Sequence, residues 1–234
     1  GLNLAIFFAG ATQNSVANAA LIGSLSPFLI VPIGAVLFAE YFNPRALVFA
    51  VVAFGGTVIV LFSAPPVGDA SVRGNVFGVL AMLLWTGYVV STRHFRRDMD
   101  VATFMATVSP IAVVAVFPLV LVNGNGFGMS ATGWVYTLAL TFLIGMAGHG
   151  LLVFAQKSIP IGTIGIGQVV QPALAVVWSF LLLGETLNRW QAVGIAIVVS
   201  GLLAFLVLNE RGTRARQRER DPPAASEGAG PTVI

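Results

Sequence analysis

Cysteine is absent from this sequence, which excludes disulfides, thiolate nucleophiles and cysteine-ligated metals at once. Charge is nearly as scarce. Asp, Glu, Lys and Arg make up 9% of the residues, against about 25% in an ordinary soluble domain. Such a chain lacks the polar surface to cover a globule in water. Its hydrophobic residues, 57% of the total, with a mean hydropathy of +0.91, must therefore face lipid. No Walker, His-Glu-x-x-His or Gly-x-Ser-x-Gly pattern occurs, so neither an enzyme, a metal site nor a cofactor is expected.

What is present is length in the apolar runs. A helix needs about 20 apolar residues to cross the hydrocarbon of a bilayer. Seven runs of that length lie near 16–38, 45–63, 74–92, 101–122, 133–156, 161–183 and 190–208. They are continuous and rich in Ala and Leu, without the period of two that marks strands, and lipid leaves only helices or closed barrels viable. The expected fold is an all-α, polytopic membrane bundle. Ahead of these runs stands LNLAIFFAGA, about half a span, preceded by Gly1 without the basic start of a signal peptide. It is read as a helix cut in its middle. Past Asn209 the chain turns charged and then rich in Pro, Gly, Ala and Ser, so 209–234 is expected to be a disordered basic tail.

The net charge of +3 and pI near 10.0 suggest nucleic acid only until the charges are located. Arg45, Arg93, Arg96, Arg97, Lys157 and the five tail arginines from Arg211 to Arg220 fall on one side of the alternating spans, and Arg73 and Arg189 on the other. Ten against two is a positive-inside bias. It predicts a cytoplasmic C-terminus in a multi-pass protein of the plasma (bacterial inner) membrane, with the lipid bilayer rather than nucleic acid as partner.

The chain also matches itself. Slid by 145 residues, SPFLIVPIGAVLFAEYFN (26–43) falls on QPALAVVWSFLLLGETLN (171–188) without a gap. Pro27 meets Pro172, Glu40 meets Glu185, Asn43 meets Asn188, and further on Gly56 meets Gly201. Matches at Pro, Glu and Asn carry weight that matches at Leu and Val do not. The shift crosses five spans, an odd number, so the copies are inverted in the membrane. Inverted repeats mark many secondary transporters, whose substrate site lies near the midplane between the copies.

Small residues, a mid-span Pro and an apolar run closing on Gly-Glu-x-Leu-Asn appear in GTIGIGQVVQPALAVVWSFLLLGETLN and again in SVANAALIGSLSPFLIVPIGAVLFAEYFN. With GNVFGVLAMLLWTGYVVSTR, this pattern resembles the drug/metabolite transporter superfamily in its EamA-like branch. The resemblance covers residues 1–209. It implies inverted five-helix repeats: 1–63 as the C-terminal part of the first, 64–73 as a linker, and 74–208 as the second. It implies transport of small organic metabolites, amino acids among them and often exported, with a homodimer as the one protein partnership to consider. Measured against that family pattern, the first repeat is expected to lack its first two helices and part of its third. Its Ala39-Glu40 replaces the usual Gly-Glu, so the turn has lost its permissive glycine.

Several side chains are candidates for the substrate pathway. Gln168 and Gln171, three apart, share a helix face about 10–15 Å into the membrane at 1.5 Å per residue. His149 lies about 10 Å deep by the same rise. Trp85 and Tyr88 share a face and can stack on a substrate. Asn18 completes the set. Intramembrane polar groups face bundle interiors or cavities, or they bond neighbouring helices. Pro27 and Pro172 loosen the hydrogen-bond ladder and are candidate breaks or hinges. Glu40 and Glu185, at helix C-termini where the macrodipole disfavours a carboxylate, call for a partner such as a loop N–H, Arg45 or Arg189. A structural clasp is their expected role.

The leading function is therefore a secondary transporter working by alternating access on a small-molecule substrate. A seven-helix receptor or sensor is the alternative. The lone lysine, Lys157, lies between spans, so no Schiff-base pigment is expected.

Overall fold

The computed structural model describes residues 1–14, 16–63, 71–123, 128–184 and 186–220. Those residues form no strand. Eleven α-helices run α1 (Leu2–Ala11), α2 (Val16–Gly23), α3 (Pro27–Phe38), α4 (Pro44–Phe62), α5 (Val72–Phe95), α6 (Val101–Asn123), α7 (Ala131–Leu140), α8 (His149–Ala155), α9 (Ile161–Gly167), α10 (Gln171–Leu183) and α11 (Arg189–Arg220). A π-helical stretch, Thr141–Gly148, joins α7 to α8, and a 3-10 turn, Gln168–Val170, joins α9 to α10. Counted through these joints, seven helices are long and apolar enough to cross a membrane, besides the shorter Leu2–Ala11. The protein is an all-α polytopic bundle.

Helix starts follow local chemistry. Ser71, Asn43 and Ser130 turn side-chain oxygens onto the N–H groups of Gly74 (2.9 Å), Arg45 (3.0 Å) and Gly133 (3.1 Å), as N-caps do. Asp100 does the same for α6, accepting from Thr103 N at 2.9 Å and from its hydroxyl at 2.7 Å. These bonds hold the exposed Asp100 carboxyl below its ordinary pKa. Prolines stand in the first turn of α3, α4 and α10, where a missing N–H costs nothing.

The repeat reappears at the level of atoms. Both spans 16–38 and 161–183 are broken at corresponding places, α2 giving way to α3 at Pro27 and α9 to α10 around Pro172. Both end in a left-handed residue, Ala39 (φ 53°) in one copy and Gly184 (φ 67°) in the other.

A larger correspondence holds α4 to α11. Asn43 donates from Nδ2 to the carbonyl of Leu208 (3.1 Å), and Asn188 donates from Nδ2 to the carbonyl of Ser63 (3.3 Å). Asn188 and Leu208 lie 145 residues after Asn43 and Ser63, so one bond is the image of the other. Asn188 also caps its own helix, accepting from Trp190 N at 2.9 Å, as Asn43 does from Arg45. The start of α11 thus meets the far end of α4, the start of α4 meets α11 at Leu208, and the two helices run antiparallel. Between these clasps the backbones nearly touch. A Cβ on Gly56 would stand 2.8 Å from Gly194 O and Val198 N, and one on Gly201 would stand 3.0 Å from Phe49 O and 2.9 Å from Ala53 N. Residues 49 and 53 are the images of 194 and 198. In lipid, where apolar burial does not drive association, such close backbone approach is what holds helices together.

Two expectations are corrected. The segment 209–220 is not disordered, because α11 runs on to Arg220. Gly212 packs its backbone on Asn43 (a Cβ there would meet Nδ2 at 2.8 Å), Asn209 Oδ1 accepts from Asn43 N at 2.9 Å, and Arg214 pairs with Glu210. Residues 221–234 lie outside the described residues. The expected linker 64–73 is shortened, since α5 begins at Val72, and 64–70 are also outside that range.

Ala39 carries a strain its image escapes. The left-handed region costs a non-glycine residue about 1–2 kcal/mol, partly offset by the greater flexibility of glycine in the unfolded chain. Ala39→Gly is therefore expected to stabilise the protein by about 0.5–1 kcal/mol. Gly184→Ala, with no atom within 4 Å of the added Cβ, should destabilise it by about 1 kcal/mol through the backbone alone. Denaturation monitored by circular dichroism in detergent checks both signs.

Candidate functional site

Three elements converge half-way through the bundle. Trp85 and Tyr88 lie one turn apart on α5, thirteen and sixteen residues after Val72 in a 24-residue helix, and their rings are 5.5 Å apart. α8 brings His149, whose ring stands edge-on to Trp85 at 6.0 Å and tilted to Tyr88 at 6.3 Å. The break between α9 and α10 brings Gln168, which accepts from Trp85 Nε1 at 3.0 Å. An indole N–H only donates, so this bond identifies the amide oxygen. All four residues are half-buried. Four sequence-predicted candidates thus form one group, about 15 Å from the Phe95 end of α5 at Trp85 and about 10 Å from the start of α9 at Gln168.

The π-helical stretch explains how His149 is aimed. A wider turn adds a residue and rotates the next turns by about 100° relative to a regular helix. His149 backbone N–H bonds the carbonyl of Ile144 five residues back, and its Nδ1 lies 3.1 Å from the same oxygen. A carbonyl only accepts, so Nδ1 carries the hydrogen of this bond and Nε2 is the ring nitrogen left to face the group. The group carries no fixed charge. It offers aromatic faces, one amide and one imidazole. Among the described residues no cluster of three or more His, Asp or Glu could hold a metal.

Other candidates fall elsewhere. Gln171 is exposed. Asn18 lies toward the opposite membrane face, donating to Asn14 Oδ1 (3.0 Å) and to Asn75 Oδ1, while Asn14 donates to Asn75 Oδ1 (2.8 Å). Asn75 is ten residues before Trp85, about 15 Å along α5. Pro27 and Pro172 stand at the two breaks. Glu185 lies outside the described residues.

Glu40 binds the start of α9. Its carboxylate accepts from Ile161 N (2.8 Å) and Gly162 N (3.1 Å), and Arg93 Nε lies 3.8 Å away. A carboxylate disfavoured at the end of its own helix thus sits at the positive end of another. The cation beside it is Arg93, not Arg45. Arg93 also donates to Gln156 O, and buried Arg96 donates to Val153 O (3.0 Å) and Met99 O. Two of the side-defining arginines therefore also fasten the end of α5 to the end of α8.

Thr57 was not singled out from the sequence. Fully buried on α4, it donates to Val169 O at 2.8 Å, inside the 3-10 turn beside Gln168. A hydroxyl in an apolar span next to Gly56 was the available signal.

Residues 72–207 match the model of the EamA-like transporter family. An uncharacterized transporter of Schizosaccharomyces pombe is 26% identical over 83% of this chain and 61% of its own length. A WAT1-related protein of Arabidopsis thaliana is 23% identical over 86% of this chain and 60% of its own, and an uncharacterized transporter of Synechocystis is 20% identical over 92% and 64%. The chain thus spans about three fifths of the length of these curated relatives. A protein crystal structure superposes with a TM-score of 0.73 at 22% identity, covering 87% of this chain and 72% of the other. That likeness is one of fold.

Proposed function

The chain belongs to the EamA-like transporter family, and from that premise we propose that it acts in a secondary transporter moving a small organic solute by alternating access. Residues 1–63 and 74–208 supply the two inverted repeats. The observation that carries this reading is the pairing of two broken spans, one per repeat, with a half-buried polar and aromatic group at the second break. Broken spans free backbone groups near the midplane and let one half of a helix move against the other.

The chemistry of the group narrows the solute. With no fixed charge to neutralise a charged ligand, it suits neutral or zwitterionic metabolites with an apolar or aromatic portion, amino acids among them. Export is the proposed direction, and the arginine-rich face, with the end of α11, is proposed to be cytoplasmic in the plasma membrane.

Saturable flux of members of a metabolite panel into or out of liposomes holding the protein tests the function. No saturable flux of any solute would count against it. His149 supplies the imidazole of the group, a side chain able to shuttle a proton. If Nε2 takes up the coupled proton, His149→Gln retains transport but flattens its pH profile. An unchanged profile removes His149 from coupling.

A further inference from the structure

A groove runs between α3 and α4. At membrane depth its lining is carbon: Pro27, Val31, Leu47, Val51 and Phe54, with Val169 behind. Phe28 (47% exposed) and Val51 (55%) form its open lip. It shares the lining residues Val31, Pro32 and Leu47 with a second cavity, of about 840 Å³, at the arginine-rich face, a size typical of ligand sites. Tyr41, Glu40, Thr213, Arg216 and Gln217 line this end.

The two ends ask for different chemistry. Inside a bilayer an apolar slot is filled by hydrocarbon, because water gains nothing there. At the face, the Arg216 guanidinium lies over the Tyr41 ring at 4.5 Å, which fixes the cation while leaving its N–H edge available. Among the described residues it has no carboxylate partner. Glu210 is paired with Arg214. Glu40 lines the cavity, but its oxygens are taken by Ile161 N and Gly162 N, and its side chain is 4% exposed. The mouth is therefore cationic, with the Gln217 amide beside it.

We propose that the apolar slot and the adjoining cavity together bind one anionic glycerophospholipid, its phosphate on Arg216 and one acyl chain between α3 and α4. The extension of α11 past Asn209 forms the headgroup end and gives that extension a role. The chain end of the lipid reaches Pro27 and Val169, one residue from each broken span, so an occupant touches both breaks. This site stands apart from the group around Trp85, and its occupancy does not depend on what that group transports.

Native mass spectrometry of the purified protein, titrated with dioleoyl phosphatidylglycerol or dioleoyl phosphatidylcholine, tests the proposal. One phosphatidylglycerol is expected to be retained in preference to phosphatidylcholine. Arg216→Gln should lower its retention roughly five-fold, the size of one cation acting near an anionic surface. Arg214→Gln, with the same change of charge outside the groove, should leave it unaltered. Val31→Trp, which fills the slot, should displace the lipid without touching the headgroup. Glycerol 3-phosphate added to the wild-type protein should not compete, because it has no chain for the slot. Equal losses from Arg214→Gln and Arg216→Gln, equal retention of the two lipids, or competition by glycerol 3-phosphate would each overturn the proposal. The competition arm needs no variant and decides even if a substitution prevents folding.

Discussion

Glu40→Ala is expected to destabilise the fold by about 3 kcal/mol, near the lower end of what removing one member of a buried ion pair costs. Three groups lose their partner together. Ile161 N and Gly162 N open α9 and bond the two carboxylate oxygens at 2.8 and 3.1 Å. Arg93 Nε is itself buried with no hydrogen bond, so the carboxylate 3.8 Å away is its compensation. Glu40→Gln keeps one acceptor for the helix start but removes the charge, and should cost less, about 1–2 kcal/mol. Denaturation in mixed micelles gives both values. Equal losses for the two substitutions would mean that the charge alone matters and that the hydrogen bonds to α9 add nothing. The clasp also fixes where α9 begins, seven residues before Gln168, so both variants should weaken transport along with stability.

The second large effect concerns the crossing of α4 and α11. Gly56→Leu and Gly201→Leu should each prevent recovery of folded protein, and the corresponding alanines should cost about 1–3 kcal/mol as overpacked contacts do. The obstacle at each position is backbone of the opposite helix at 2.8–3.0 Å, which no change of rotamer relieves. Gly55 provides the control. A Cβ there meets nothing within 4 Å, so Gly55→Ala should be neutral or stabilising by up to about 1 kcal/mol from helix propensity alone. Because the contacts at Gly56 and Gly201 are images of one another, the two alanine variants should lose similar stability. A large loss at one position and none at the other would contradict the twofold relation between the repeats.

Much of this fold was legible in the sequence because lipid imposes strict rules on length and backbone. Except at the C-terminal end of the last, the apolar runs matched the spans to within a few residues, and the shift of 145 residues located both breaks at Pro27 and Pro172. Less legible was anything that depends on which helix stands beside which. Asn43 and Asn188 were visible as a matched pair, but their reciprocal bonds to Leu208 and Ser63 join residues far apart in the chain. Arg45 was the obvious neighbour for Glu40 along the chain, yet Arg93 is nearer in space. Composition suggested disorder beyond Asn209 because charge rarely accompanies burial. Packing of Gly212 on Asn43 overrode that signal. Depth put Gln168, Gln171 and His149 at one level, whereas the structure sets Gln168 and His149 beside Trp85 and Tyr88, leaves Gln171 exposed, and places Asn18 in an amide cluster near the other face. The π-helical turn that aims His149 left no mark in the sequence beyond Gly145 and Gly148.

At the centre of the proposed mechanism, inverted repeats expose one midplane group to each side of the membrane in turn. The absence of cysteine makes this directly measurable in liposomes. Cysteine is placed at Gln168 or at Tyr88, and a charged, membrane-impermeant maleimide is supplied first outside and then only inside sealed vesicles. Alternating access predicts that each cysteine is labelled from both sides while the vesicles remain sealed to the reagent. Labelling from one side only, under every gradient tried, would contradict the mechanism and leave a one-sided crevice of the kind a receptor has.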